Sequence, residues 1–242
     1  FGRNYNAGFD LAAGGITDAN GLAFDSVTNY TIKGNYATTG NVKLNPIISI
    51  VSNTNLGTTR NDNMIRYSNK FGNVLAIATY AVGGQVGDTS LKSSTSGALA
   101  YQGGAYNVGI AGYSSEDGTG KKLEYTSVGG NAAFGAFKLT ASYSEMRADK
   151  GYANAAGILT VASYASAPFD SSVSAGGKSK MEVSHVGLTY QATPALKAIL
   201  AYYDTTYKGD GVTKGTNDTY TLTAIYSLSK RTDLYASLDN SK

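Results

Sequence analysis

This sequence predicts an all-β fold: an antiparallel, up-and-down transmembrane β-barrel. Three observations carry that reading. From residue 62 onward apolar and small polar residues alternate in tract after tract, and a period of two sends successive side chains to opposite faces of a strand. The connectors between tracts are short, then long, then short again, as in a meander with tight turns at one end and loops at the other. Tyrosine is used heavily, 19 against 7 phenylalanines and no tryptophan. Its residues share parity with the apolar rows near strand ends, where an amphipathic ring suits a membrane–water boundary.

Composition bounds the alternatives. The 242 residues fit one large all-β domain spanning 1–242, with 30 glycines and only 3 prolines. The absence of cysteine excludes a disulfide framework and any thiolate metal site. Net charge is +3, from 20 basic and 17 acidic residues scattered without a basic cluster or basic helix, which argues against a nucleic-acid partner. No run approaches the ~18 apolar residues of a membrane-spanning helix. Mean hydropathy is -0.19, a value that fits a soluble protein and a membrane barrel equally, because only every second barrel residue faces lipid.

Taken in order, strands are expected near 62–70, 73–82, 97–103, 106–114, 122–134, 137–147, 180–192, 196–207, 218–228 and 233–241. Tight turns fall near Phe71-Gly72, 102–105, Gly135-Ala136, 193–195 and 229–232; long polar connectors fall at 83–96, 115–121, 148–179 and 208–217. The clearest tract is Phe137-Lys-Leu-Thr-Ala-Ser-Tyr143, with Phe137, Leu139, Ala141 and Tyr143 on one face and Lys138, Thr140 and Ser142 on the other. Tyr220 to Tyr226 repeats it, apart from Ile225 on the polar face. Leu196, Ala198, Leu200 and Tyr202 form another apolar row, and so do Val186, Leu188 and Tyr190. In Tyr226-Ser-Leu-Ser-Lys-Arg-Thr-Asp-Leu-Tyr235 two tyrosines flank a compact basic turn. Tyr67, Tyr143, Tyr190, Tyr202, Tyr226 and Tyr235 are therefore read as an interfacial aromatic girdle. A soluble β-sandwich also alternates, but its core rows hold Val, Ile, Leu and Phe against a second sheet. Here the second face is Thr, Ser, Gly, Lys and Glu, as in a water-filled lumen.

The stretch 226–235, with Leu-Ser-Lys-Arg-Thr at its centre, resembles a turn of the general porins of betaproteobacteria and neisseriae. Phe1-Gly-Arg-Asn4 resembles the end of that family's Leu-Gly-Arg strand, which leads into the loop folded inside the pore. Asn63-Met-Ile-Arg-Tyr-Ser68 resembles the strand that returns from that loop, and Asn131–Tyr143 resembles, less closely, a further turn and strand. The resemblance implies a sixteen-stranded trimeric barrel in the bacterial outer membrane that passes small hydrophilic solutes and ions by diffusion. It further implies that 4–61 contains the pore-constricting loop and that 62–242 holds barrel strands with short periplasmic turns and long external loops. Within 4–61, residues 41–52 read as an extra strand or hairpin. About ten full strands are present, so the family's first strands and its last one are expected to be missing. An open sheet in lipid would leave two edges of unpaired backbone groups, each costing several kcal/mol, so a piece of a longer porin is expected.

Such a protein needs an aqueous path, a narrow point and fixed charges rather than reaction chemistry. If the strand near 62–70 starts early, Arg60, Asp62, Met64 and Arg66 share a parity opposite Ile65 and Tyr67, which turns Arg60 and Arg66 toward the lumen. The resemblance also assigns a constriction arginine to Arg60, places Arg3 at the loop entry, and puts Asp10 inside the loop as an opposing charge. Lys138 and Lys197 sit opposite apolar rows and are read as lumen-facing, because a charge facing mid-membrane lipid costs ~2–4 kcal/mol. Glu182 has the lipid parity but lies at a strand end within reach of water. The visible arginines lean toward anions. His185, the only histidine, follows Ser184, and adjacent strand residues point to opposite faces, so the two cannot act as a nucleophile–base pair. The expectation is no enzyme, no catalytic residues, no metal and no cofactor. Partners are membrane lipid and lipopolysaccharide, ions and solutes in transit, and two further copies in a homotrimer. The competing class is a non-channel outer-membrane barrel or surface adhesin, with a soluble sugar-binding β-protein behind it.

Overall fold

The computed structural model of the protein describes residues 1–17, 19, 60–84, 86–149, 152, 179–209 and 212–241. In chain order its elements are β1 (Gly2–Tyr5), α1 (Ala7–Ala13), β2 (Arg60–Phe71), β3 (Val74–Ala81), β4 (Ser94–Gln102), β5 (Tyr106–Glu116) and β6 (Lys122–Phe134). They continue as β7 (Phe137–Ala148), β8 (Ser179–Gln191), β9 (Leu196–Gly209), β10 (Val212–Ser229) and β11 (Thr232–Ser241). All strands belong to one 11-stranded sheet whose order is the chain order, each pair antiparallel, as in a meander. Every strand expected from alternation is present within a few residues, and β1 is added to them.

The turns follow from the same local chemistry. Gly72 and Gly135 adopt φ of 60° at the first position of the two-residue links β2–β3 and β6–β7. That left-handed backbone is what tight hairpins of the primed type demand, and glycine takes it without a Cβ penalty. At the other end of the sheet the β5–β6 link is shaped by Asp117, whose Oδ1 accepts from Thr119 N (2.7 Å), Thr119 Oγ1 (2.8 Å) and Lys121 N (3.0 Å). One connector differs from expectation. Residues 208–209 and 212–217, expected in a loop, belong to strands: β9 and β10 pair from Tyr226↔Leu196 out to Val212↔Gly209, with a register shift between Val212 and Gly215. Val212, Thr213 and Thr216 keep strand propensity in this polar stretch, where hydropathy alone gives no strand signal. The 148–179 connector lies almost entirely outside the described residues, as does the strand or hairpin expected at 41–52.

The two faces have different solvents written into them. On the face that carries α1, called the inner face, lie Met64, Ile77, Thr79, Ser96, Ala111, Tyr125, Ser127, Thr140, Val183, His185, Tyr203 and Thr221, all buried. The outer face exposes Ile65, Tyr67, Leu99, Val108, Ile110, Leu139, Val186, Leu188, Leu200 and Leu222. This inverts the rule that large apolar side chains go inside, and it fits a sheet whose outside is lipid. Aromatic rings bracket the apolar band. Near the short turns stand Tyr101, Phe134, Phe137, Tyr190 and Tyr226, with Phe137 stacked on Tyr190 at 4.9 Å. Six residues further along β7 and β10 come Tyr143 and Tyr220, ~20 Å along a strand, and Tyr220 stands beside Tyr202 at 4.8 Å.

Tyr235 departs from the girdle. The register pairs Tyr226 with Leu234 and Ile225 with Tyr235, and directly paired residues share a face. Ile225 is buried on the inner face, so Tyr235 belongs there and Leu234 takes the outer position beside Tyr226. The symmetry about Lys230-Arg231 is a symmetry of sequence. A register shift between Ser227 and Ser229 offsets the two strands by one residue, and one residue exchanges the faces.

Candidate functional site

After β1, residues 6–17 and Ala19 form a strip that crosses the inner face. Asn6 ends β1 in an extended conformation (φ -72°, ψ 159°) and caps α1, its Oδ1 accepting from Phe9 N at 3.0 Å. Ser, Thr, Asp and Asn serve best here because a short side-chain acceptor meets a first-turn N–H that has no helical partner. A seven-residue helix is too short to stand alone in water, so its stability must come from what it packs against. Leu11 and Ile16 are buried with Ile77, Ala98, Ala100 and Ala111 of β3, β4 and β5, while Phe9 and Ala12 join a cluster containing Tyr113, Tyr125 and Tyr203. Glycine sets the distance of approach. A Cβ on Gly109 would come within 2.9 Å of Leu11 Cδ1 and 3.3 Å of Ile16 Cγ2, and one on Gly8 would run into the Tyr125 hydroxyl.

Hydrogen bonds then fasten the strip to the wall strand by strand. Ala7 N donates to Ser96 Oγ of β4 at 3.0 Å. Gly8 N donates to Tyr125 Oη of β6 at 3.1 Å, and that hydroxyl donates onward to Asn6 Oδ1 at 2.6 Å. Asn131 Nδ2, also on β6, donates to Gly15 O at 2.7 Å. On β7, Ser142 Oγ donates to Thr17 O at 2.5 Å. On β8, His185 Nε2 accepts from Ala19 N at 3.4 Å, and its Nδ1 lies 3.3 Å from Ser142 Oγ. These contacts suit a His185 imidazole carrying its proton on Nδ1, since Nε2 accepts and the Ser142 proton is already committed to Thr17. Ser184 is exposed on the opposite face while His185 is buried, as alternation requires. Sequence reasoning did not single out Asn6, Ser96, Tyr125, Asn131 or Ser142. A short polar residue before an apolar run was an N-cap signal at Asn6; the others carried only the parity of a polar wall.

Four of the expected site residues gather where β1, β2 and α1 meet. Asp10 points away from the buried side of α1 and pairs with Arg66 Nη1 at 2.7 Å, both side chains about a quarter exposed (28% and 23%). Arg66 Nη1 also donates to Tyr5 O at 3.3 Å. Arg60 lays its guanidinium over the Tyr5 ring, 4.4 Å from the centroid, and reaches the Tyr5 hydroxyl. Tyr5 in turn stacks on Phe9 at 4.4 Å. Arg3 pairs with Asp62 at 3.6 Å in the open, with side chains 63% and 71% exposed. Three arginines face two aspartates, a local excess of one positive charge. Burial pushes the Asp10 carboxyl above its ordinary range, and the neighbouring Arg66 only partly offsets this.

The continuous parity expected from Arg60 to Arg66 is broken. Asn63 has φ of 53°, and the β1–β2 register shifts between Gly2 and Asn4, from Gly2↔Met64 to Asn4↔Asn61. This bulge adds a residue to one strand and re-aims what precedes it. Met64 and Arg66 share the inner face, whereas Arg60 is exposed and is held by Tyr5 instead. Lys138 and Lys197 lie on the inner face, half-buried, on β7 and β9, away from the arginine cluster. Glu182 lies on the outer face, where the single Tyr143 hydroxyl proton is shared between its Oε1 at 2.8 Å and Glu145 Oε2 at 3.0 Å. Lys180 bridges Glu145 (2.8 Å) and Glu182 (2.9 Å), so charge appears on the outer face only past the second aromatic row. Among the described residues no group of three or more His, Cys, Asp or Glu is placed to hold a metal ion.

A family model described as Gram-negative porin matches residues 1–242. Among solved structures, the anion-selective porin from Comamonas acidovorans is 20% identical with a TM-score of 0.56, over 76% of this chain and 49% of that one. The outer-membrane protein OmpT of Vibrio cholerae is 13% identical with a TM-score of 0.64, over 100% of this chain and 65% of that one. OmpF of Salmonella typhi is 16% identical with a TM-score of 0.60, over 99% and 65%. At these identities each likeness speaks for the fold. The chain spans between about half and two thirds of the length of these structures. No curated protein matches it by sequence.

Proposed function

The chain belongs to the Gram-negative porin family, a family of outer-membrane β-barrels, and from that premise we propose that the whole protein is a passive diffusion channel for small hydrophilic solutes and ions, weakly selective for anions. The observation that carries this reading is the strip of residues 6–17 and Ala19, fastened across the inner face by side chains of β4, β6, β7 and β8. A strip held against the wall of a polar-lined barrel narrows the aqueous path, and the charges it carries then act on every ion that passes. In this reading the strip begins the pore-constricting loop of segment 4–61, and Arg3, Asp10, Arg60 and Arg66 are the eyelet charges. Lys138 and Lys197 add positive charge further along the lumen.

Three arginines against two aspartates supply the anion preference, and one structurally similar protein is described as an anion-selective porin. The short turns face the periplasm and the long connectors the exterior. Tyr67, Tyr143, Tyr190, Tyr202 and Tyr226 stand at the two lipid boundaries. Three copies assemble side by side, in contact with lipid and lipopolysaccharide. The work in this reading is conduction rather than catalysis: Ser142 and His185, which meet on the inner wall, are both engaged in holding the strip, the serine proton going to Thr17 O and the imidazole Nε2 accepting from Ala19 N.

The test is a planar-bilayer recording of the protein purified from outer membranes, under a salt gradient. Conductance in threefold steps, with a reversal potential directed toward anions, is the expected result. Conduction with cation preference would remove the eyelet assignment and leave the channel. Folded protein that conducts nothing would transfer the chain to the non-channel barrels or adhesins.

A further inference from the structure

Away from the arginine cluster, near the short-turn end of the inner face, two lysines stand where the registers bring three strands together. Lys138 of β7 pairs with Thr189 of β8. Two residues on, Gln191 of β8 pairs with Lys197 of β9, which also pairs with Ile225 of β10. Paired residues share a face, so Lys138, Thr189, Gln191 and Lys197 form one inner-wall patch whose lysines are ~12 Å apart across β8, within the joint reach of two flexible side chains. Both lysines are half-buried, and neither makes an ion pair or hydrogen bond among the described residues. Beside them the hydroxyls of Thr189 and Thr140 are buried and have no hydrogen-bond partner among the described residues. Thr189 is only 9% exposed and Thr140 is fully buried.

Each of these facts is unfavourable alone. Like charges at this spacing repel, and a buried hydroxyl without a partner forfeits the hydrogen bonds it makes in water. Unsatisfied polar groups in a native fold call for an explanation. An anion with several oxygens resolves both: it screens the two ammonium groups and accepts from a threonine hydroxyl at once. We propose that Lys138, Lys197 and the Thr189 hydroxyl form an oxyanion-binding station on the inner wall, for phosphate or a small phosphate-bearing solute. This rests on the reading of the inner face as a conducting lumen. The station adds to that reading a resting place for polyvalent anions on strands that carry none of the eyelet arginines.

Inorganic phosphate is the probe, added at neutral pH to single channels of the purified protein conducting chloride. Phosphate is expected to reduce the chloride current in a saturable way. Lys138→Gln or Lys197→Gln should each raise the half-blocking concentration about fivefold, the scale of one lost charge contact in a water-filled path, and the double variant should abolish the block. Lys138→Arg should retain it, and Thr189→Val should weaken it. The two lysines lie on different strands, so Lys197→Gln carries the test if Lys138→Gln does not assemble. A channel that conducts chloride but ignores phosphate, or a block unchanged in the double variant, overturns the station alone. A preparation that conducts nothing in chloride removes the channel reading and the station with it.

Discussion

At the scale of single residues the balance at the β1–β2–α1 junction turns on Asp10. Burial raises its carboxyl above the ordinary aspartate range, so Asp10 takes up its proton at a higher pH than an exposed aspartate does. Protonation changes the local count from three positive against two negative to three against one. Anion preference should therefore grow as pH falls through the acid range, beginning earlier than exposed carboxylates would allow. Asp10→Asn should already show the greater anion preference at neutral pH and lose the early part of that rise. Reversal potentials across a pH series check this, and identical profiles for the variant and the parent would remove Asp10 from the ion path. The position of Arg66 was legible in the sequence, because alternation around Tyr67 assigns it a face. That of Arg60 was not, because Asn63 inserts a bulge that alternation cannot reveal. Tyr235 failed for the same reason, since one residue of register offset decides between two faces and leaves no mark on composition.

At the scale of elements, α1 is a helix that exists because a wall has been cut to receive it. Its seven residues cannot hold a helix unaided, and the wall opposite offers Gly109 where Leu11 and Ile16 come closest. Gly109→Val should push α1 away from β5 toward the lumen axis. The expected result is a smaller single-channel conductance, with the overpacked fold losing about 1–3 kcal/mol in denaturant unfolding from lipid vesicles. Unchanged conductance in the folded variant would show that α1 does not border the ion path. The strands themselves were readable because period two survives every tract. The helix was not expected at all, although Asn6 before an apolar run is an N-cap signal, and that it lies against β3, β4 and β5 was not readable either. That contact joins residues about a hundred positions apart, and small side chains such as Gly109 and Ala111 look alike in any tract. The β9–β10 hairpin was underestimated because its outer part carries Thr and Val among charged residues, where hydropathy falls although strand propensity does not.

At the scale of the whole molecule, one sheet separates two solvents, and successive side chains along a strand point alternately into one and the other. Lys138 and Leu139 are neighbours on β7, one half-buried on the inner wall and the other exposed between the aromatic rows. In a soluble sandwich the exposed leucine would be the misplaced residue and a charge there would cost nothing. In a lipid-facing barrel the order is reversed. Leu139→Lys should destabilise the folded protein in vesicles by ~2–4 kcal/mol, because it moves a charge from water toward hydrocarbon. Lys138→Leu, one residue away, should stay within ~1 kcal/mol of the parent while reducing the chloride current. Unfolding in urea with phospholipid vesicles gives the first quantity and bilayer recording the second. Equal and small stability changes for both would mean that the outer face meets water. A larger loss for Lys138→Leu would mean that the faces have been assigned the wrong way round. The asymmetry between these two adjacent positions therefore tests both the lipid-facing and the lumen-facing assignment, independently of any particular ion or solute.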